Sequence, residues 1–146
     1  MKTGRSFPIS TGMESCLIVS SARFLLDSNI CIYILKGLSE SARRAVEDHA
    51  PGEVVTSAVA YAEVMNGLRD ADSKALAHAA AFFRTVPVQP FDAAAAEKYR
   101  SLVFERHRFD HLIAAHALSL DLVMVTRNAR HFRNVPALRV EDWTFR

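Results

Sequence analysis

The sequence predicts an α/β protein built on a central parallel sheet. Short apolar or β-branched runs alternate with helical patterns along the chain, and this alternation is typical of a parallel sheet with helices on both faces. Residues 122–126 form a continuous apolar run up to Thr126, as expected for a strand that is buried on both faces. The 146 residues are 50% hydrophobic, enough for one domain with its own core.

Composition narrows the class of protein. Charged residues make up 23% of the chain, which disfavours general disorder, and a net charge of +2 is compatible with a nucleic acid partner. The two cysteines, Cys16 and Cys31, make no disulfide framework, so we expect a reducing cytoplasm. No apolar run is long enough to span a membrane. Residues 1–21, rich in Ser, Thr and Gly, are expected to be a flexible extension, and residues 22–146 the domain.

Four or five strands are expected. The first ends at Phe24-Leu25-Leu26, an apolar run of strand length. The second is β-branched, and Pro87 places the third at a sheet edge because proline cannot donate to a ladder. The predicted strands, in order, are residues 23–26, 54–56, 86–88, 122–126 and a last edge strand within 138–143.

Helices fill the intervals between these strands. Gly37 ends the first helix, since glycine is favoured just after a helix C-terminus. Ser39, Ser57 and Asp92 each precede a helical pattern and are expected to cap it. The predicted helices, in order, are residues 30–36, 40–49, 58–68, 72–84, 93–105 and 110–118, with a short helical turn from 127 to 132.

Three acids are expected near one edge of the sheet. Asp27 directly follows the first strand, Glu63 lies about two turns into the helix after the second, and Asp110 begins the helix that leads to the fourth. Thr126 and Asn128 follow that fourth strand. Ligand chemistry in open α/β sheets sits outside the carboxyl ends of the strands, so these side chains are candidate site residues.

Each acid also has an ordinary interpretation. An aspartate in the position of Asp27 is most often a helix N-cap, and Glu63 could belong to a solvated helix face. Together, however, crowded carboxylates repel and take up protons unless a cation lies among them. Mg²⁺ or Mn²⁺ prefers such oxygen ligands, and a bound metal can activate water against a phosphodiester.

Basic residues flank the same elements and could hold a nucleic acid backbone, although surface charge is the simpler explanation for any one of them. They are Arg106, Arg108, Arg127 and Arg130.

Zinc is disfavoured because the chain has no HExxH motif, and His116 lies on an apolar helical stripe where a hydrogen-bonded core histidine is commoner. No glycine-rich phosphate loop is present.

Four motifs in order resemble the PIN domain, and most closely the VapC ribonuclease toxins of type II toxin–antitoxin modules. The tail from Val135 to Trp143 is similar to that of one VapC group. The motifs are Leu25-Leu26-Asp27-Ser28-Asn29, Ala62-Glu63-Val64 with Gly67, Asp110-His111-Leu112-Ile113-Ala114-Ala115-His116-Ala117, and Val125-Thr126-Arg127-Asn128 with Phe132.

The resemblance implies a three-layer α/β/α fold and a homodimer that cleaves RNA with Mg²⁺ or Mn²⁺. Asp27, Glu63 and Asp110 match the acidic metal ligands, Asn128 stands where many PIN domains have a fourth acid, and Thr126 matches a small hydroxyl residue lining the site. The implied substrate is tRNA, with initiator tRNA suggested by the tail. The implied partners are a VapB-like antitoxin that covers the active site and, through it, promoter DNA.

One departure from the family pattern keeps a second hypothesis open. Such toxins usually carry a loop ending in Pro-Ile-Gly before the third acid, whereas here the connection to Asp110 is shorter and residues 106–109 replace that loop. The alternative is therefore a catalytically impaired PIN-fold protein that only binds antitoxin or RNA. A phosphotransfer domain using Asp27 is disfavoured because the Asp-x-Asp pattern is absent.

Overall fold

The computed structural model describes residues 21–103 and 108–145, without the side chain of Arg108. Most of the predicted N-terminal extension therefore lies outside the described residues, as do Arg106 and His107. The strands are β1 (Phe24–Leu26), β2 (Val54–Ser57), β3 (Val88–Gln89), β4 (Val123–Val125) and β5 (Val140–Glu141). The helices are α1 (Ser28–Leu35), α2 (Glu40–Glu47), α3 (Ala58–Gly67), α4 (Ser73–Thr85), α5 (Ala93–Tyr99) and α6 (Arg108–Ser119), with 3-10 turns at Ala129–Phe132 and Trp143–Phe145.

The five strands form one parallel sheet in the order β3-β2-β1-β4-β5. The predicted parallel sheet is thus confirmed. The third strand begins just after Pro87, later than predicted, and it and the tail strand lie at the two edges. In register, Leu26 of β1 lies beside Thr56 of β2 and Val125 of β4. The next residue along each strand, which is Asp27, Ser57 or Thr126, therefore lies at the same edge of the sheet.

Two apolar cores lie on opposite faces of the sheet, which confirms the three-layer α/β/α architecture. Successive strand residues point to opposite faces, so Leu26 packs in the core with α1 and α2, whereas Leu25 packs in the core with α6. Both are fully buried. Because helices cover both faces of the sheet, every residue of β1 is apolar. The first polar residue, Asp27, comes only after the strand has ended.

Helix starts follow the capping residues expected from the sequence. Ser39 accepts from the Ala42 N–H and Asp92 accepts from the Ala95 N–H, at 3.2 and 3.0 Å. The predicted core histidine is confirmed, because His116 is 1% exposed and its Nδ1 lies 2.8 Å from Ser57 Oγ. These contacts fix where each helix leaves the sheet, and hence where the side chains of the site begin.

The helix expected over residues 93–105 ends early, and that prediction is wrong beyond Tyr99 within the described residues. The Arg100 and Ser101 N–H groups bond to carbonyls three residues back, and Ser101 Oγ donates to the Lys98 carbonyl at 2.8 Å. Tightened bonds of this kind, together with a hydroxyl that satisfies a terminal carbonyl, end a helix.

The C-terminal tail closes the face that carries α2. Trp143 is 1% exposed, stacks on His49 at 5.2 Å between ring centroids and meets Phe24 edge-on. Its carbonyl accepts from Ser41 Oγ at 2.7 Å. No helix in the described ranges is long and apolar enough to cross a bilayer.

Candidate active site

The carboxyl ends of β1, β2 and β4 meet at one edge of the sheet. Asp27, Ser57 and Thr126 are the residues that follow or end these strands, and each is at most 1% exposed. Asp27 N–H donates to the Val125 carbonyl at 3.0 Å, so the parallel register itself brings Asp27 beside the start of the loop after β4. Asp27 and Thr126 are about a hundred residues apart in the chain, and the pairing of β1 with β4 brings them together.

Asp27 is both a helix cap and a buried acid. Its Oδ1 accepts from the Ile30 N–H at 2.9 Å, which starts α1 at Ser28, two residues earlier than predicted. Its Oδ2 is buried and makes no hydrogen bond. Burial raises the pKa of Asp27 to about 7, the Thr126 hydroxyl and the Ile30 N–H oppose that rise, and the charges of Asp110 and Glu63 add to it. The capping interpretation and the site interpretation of Asp27 are therefore compatible.

Glu63 faces the same place from α3. Its side chain is half-buried and its Oε1 is enclosed without a hydrogen-bond partner. Burial raises the pKa of Glu63, the Ser28 hydroxyl lowers it, and the charge of Asp110 raises it further. One oxygen of Glu63 is thus enclosed near the other acids, unlike the carboxylate of a fully solvated helix face.

Asp110 lies in the first turn of α6 and is half-buried. Its Oδ2 is 3.5 Å from Nδ1 of His131, which belongs to the 3-10 turn after β4. The three predicted acids therefore come from three separate elements and are near enough for their charges to influence one another.

The remaining predicted site residues lie on the loop after β4. Thr126 is buried, and its hydroxyl interacts with Asp27 and lowers the pKa of that acid. Its Oγ1 accepts from the Asn128 N–H at 3.1 Å. Arg127 is exposed, with its guanidinium carbon 4.1 Å from the centre of the Tyr33 ring. The side chain of Arg108 lies outside the described residues.

A cleft of about 570 Å³ opens beside these acids between α1, α3 and α6. Its walls include Ser28, Asn29, Glu63 and the exposed ring of Phe109. Another groove, of about 260 Å³, is lined largely by apolar residues of α1, α3 and α4 and contains no carboxylate. The cleft that contains Glu63 is the candidate site for a polar or metal-dependent reaction, because Asp27 and Asp110 lie near that carboxylate.

The donor chemistry of the site fits a divalent cation. Asp27 and Glu63 each present an enclosed oxygen without a hydrogen-bond partner, and a buried carboxylate in that state is costly unless it is protonated or neutralised by a cation. Oxygen donors of this kind suit Mg²⁺ and Mn²⁺. Within the described ranges, no three His, Cys, Asp or Glu side chains stand close enough to hold one ion as they are placed. Side-chain movement must therefore accompany binding of an ion by all three acids.

Two contacts at this site were not anticipated from the sequence. His131 reaches Asp110, and the Ser28 hydroxyl reaches Glu63. Ser28 immediately follows Asp27, but nothing in its local pattern indicates a contact with α3. His131 lies three residues after Asn128, within the helical turn predicted after β4. That turn is the one sequence feature that could have indicated that His131 lies near the site.

Comparison with known proteins identifies the family. The sequence profile of the PIN domain matches residues 24–138. The tRNA(fMet)-specific endonuclease VapC of Shigella flexneri is 34% identical over 131 residues, which cover 84% of this chain and 98% of that protein. The chain belongs to the VapC family of PIN-domain ribonucleases. The enzyme of the same name from Salmonella typhimurium is 31% identical and covers 83% of this chain and 98% of its own length.

The fold of VapC proteins agrees with the one described above. The DNA-bound VapBC structure from Salmonella typhimurium aligns with a TM-score of 0.75 at 29% identity, covering 84% of this chain and 98% of that one. The family resemblance expected from the four motifs is thus confirmed.

Proposed function

We propose that this VapC-family chain is a metal-dependent endoribonuclease and the toxin of a type II toxin–antitoxin module, with tRNA as its substrate. The observation that carries the proposal is the pair of enclosed carboxylate oxygens, on Asp27 and Glu63, at the carboxyl edge of the sheet. The names of the Shigella and Salmonella relatives support a tRNA substrate, and initiator tRNA in particular.

Asp27, Glu63 and Asp110 would hold Mg²⁺ or Mn²⁺ beside the cleft that contains Glu63. When bound, such an ion activates water for attack at phosphorus and stabilises the charge that develops on the phosphate oxygens. Thr126 and the Ile30 N–H hold Asp27 in place and favour its ionised form. Ser28 does the same for Glu63.

Arg127 is proposed to attract the RNA backbone to this cleft. Its guanidinium rests over the Tyr33 ring while the residue stays exposed, which leaves its charge available to a phosphate. Asn128 adds a neutral amide on the same loop and is proposed to contact a phosphate or a metal-bound water. Arg108 is proposed as a further phosphate contact from the start of α6. A backbone contact of this kind weakens as salt concentration rises.

The proposed protein partner is a VapB-like antitoxin that inhibits the toxin, and the pair would bind promoter DNA through the antitoxin. The solved VapBC complexes of Salmonella typhimurium and nontypeable Haemophilus influenzae support this partnership. We also propose a homodimer, by the family resemblance. Light scattering of the purified chain, alone and mixed with the cognate antitoxin, tests both assemblies.

Cleavage of a total tRNA pool tests the activity. Purified, antitoxin-free protein is incubated with tRNA and Mg²⁺ or Mn²⁺, then with EDTA, beside the variants Asp27→Asn and Asp72→Asn. Asp72 is a matched control because it caps α4 with backbone angles within about one degree of those of Asp27 but is exposed. We expect discrete metal-dependent products from the parent and from Asp72→Asn, and none from Asp27→Asn.

The competing proposal is a protein that binds antitoxin or RNA without cutting. It is supported by the separation of the acids, which are not gathered around one point within the described residues, and by the shortened connection before Asp110. Folded protein that binds antitoxin but yields no product with either metal would establish this alternative. Equal cleavage by the parent and Asp27→Asn would contradict the metal mechanism.

A further inference from the structure

His131 occupies a fixed position at the mouth of the site. Its backbone N–H donates to the Asn128 carbonyl at 2.9 Å, which forms the turn after β4. The next residue, Phe132, is 4% exposed and anchors that turn in the core. The His131 side chain itself is 27% exposed, and its imidazole reaches Asp110.

The spacing between His131 and Asp110 suits two ligands of one ion. Their Nδ1 and Oδ2 atoms are 3.5 Å apart, longer than the roughly 2.7–2.9 Å of a charge-assisted hydrogen bond. Two donors at about 2.1 Å from a shared metal are about 3.4 Å apart at a tetrahedral angle and about 3.0 Å apart at a right angle. This pair therefore already stands at ligand spacing, although no third His, Cys, Asp or Glu side chain of the described ranges completes a set with it as placed.

We propose that His131 supplies a nitrogen ligand next to Asp110 and makes the site selective for a first-row transition ion such as Mn²⁺ over Mg²⁺. The inference rests on the metal dependence proposed above. Mg²⁺ takes oxygen ligands and retains its waters, whereas imidazole favours transition ions. A site with only the carboxylates of Asp27, Glu63 and Asp110 lacks that preference.

Pulsed electron spin resonance of the Mn²⁺-bound protein tests the ligand directly and needs no RNA. Protein is prepared with ¹⁴N- or ¹⁵N-labelled histidine, and nuclear modulation of the Mn²⁺ signal is recorded. We expect modulation from a directly bound histidine nitrogen that changes with the isotope. Mn²⁺ and Mg²⁺ dissociation constants are then measured for the parent, His131→Gln and the control His78→Gln, which alters an exposed histidine on α4.

The expected result is loss of the nitrogen modulation in His131→Gln, with Mn²⁺ binding weakened about tenfold or more, as is common for perturbed metal sites. Mg²⁺ binding should change much less, and His78→Gln should match the parent. Absence of nitrogen modulation in the Mn²⁺-bound parent, or its persistence in His131→Gln, would overturn the proposal.

Equal weakening of Mn²⁺ and Mg²⁺ binding in His131→Gln would also overturn it, because His131 would then act by positioning Asp110. These results are separable from the proposed function. Metal-dependent RNA cleavage without a nitrogen ligand removes only this inference, whereas absence of any metal binding removes both.

Discussion

Replacing Asp27 with Asn should change the free energy of unfolding of the metal-free protein in a pH-dependent way. Relative to the parent, the variant should gain more stability at pH 8 than at acidic pH. Asn is as good an N-cap as Asp, so the bond from the Ile30 N–H can persist. What changes is the cost of ionising a carboxyl whose pKa is raised from 3.8 to about 7 by burial. An amide never carries that charge.

The sign and size follow from proton linkage. Below about pH 3 the Asp27 carboxyl is protonated in both folded and unfolded protein, because its unfolded pKa is 3.8. As the pH rises from about 3 to about 7, the unfolded chain releases the proton while the folded protein retains it, so parent stability falls. The shift is about three units, worth at most about 4 kcal/mol. Part of this effect is already present at pH 4.5, where the unfolded carboxyl is mostly ionised. Between pH 4.5 and pH 8, with water entry and relaxation, we therefore expect about 2–3 kcal/mol.

Urea unfolding in EDTA at pH 4.5 and at pH 8 measures this effect. The quantity of interest is the change in the free energy of unfolding caused by Asp27→Asn at pH 8, minus that at pH 4.5, because any packing cost of the amide cancels in the difference. Asp72→Asn, the matched exposed cap, should give a difference near zero. A difference near zero for Asp27→Asn, or one of opposite sign, would show that Asp27 is not a buried acid with a raised pKa.

Three further outcomes test the site and the fold. Mn²⁺ at about a hundred times its dissociation constant should add about 2.7 kcal/mol to the stability of the parent and nothing to Asp27→Asn, measured by thermal unfolding. Thr126→Val should weaken Mn²⁺ binding at pH 7, because the hydroxyl lowers the pKa of Asp27, and calorimetry measures this. It should also cost about 1–3 kcal/mol of stability, because a backbone N–H loses its acceptor. Trp143→Ala should cost about 3–5 kcal/mol in urea unfolding, since this buried ring packs on Phe24 and His49 and its Nε1 donates to Glu141 Oε1 at 2.8 Å.

Local chemistry explains what could be predicted about the helices and strands. Capping residues such as Ser39 and Asp92 act within three residues of their own position, so a local pattern is enough to locate them. The helix that ends at Tyr99 was predicted too long because its end depends on hydrogen bonds of Arg100 and Ser101, and neither residue type is a strong stop signal. Alternation of strand and helix patterns likewise predicted a parallel sheet, since parallel strands need crossover helices.

The candidate site required both kinds of information. Asp27, Glu63 and Asp110 are predicted as site residues from the sequence because each has a recognisable place relative to a strand or helix, and the family motifs contain all three. The protonation state of these acids could not be predicted from the sequence. The raised pKa of Asp27 comes first from burial by elements that are distant along the chain. The same holds for the contact between Asp110 and His131.

The sequence by itself determined the fold class, the parallel sheet and the family, because apolar periodicity, caps and short motifs are local properties of the chain. Only the tertiary structure decided that Asp27 caps α1 with one oxygen while the other stays enclosed, and that a histidine after β4 meets the third acid. The physical reason is that burial and charge interactions depend on distance in space, and the parallel register of β1 and β4 creates those distances.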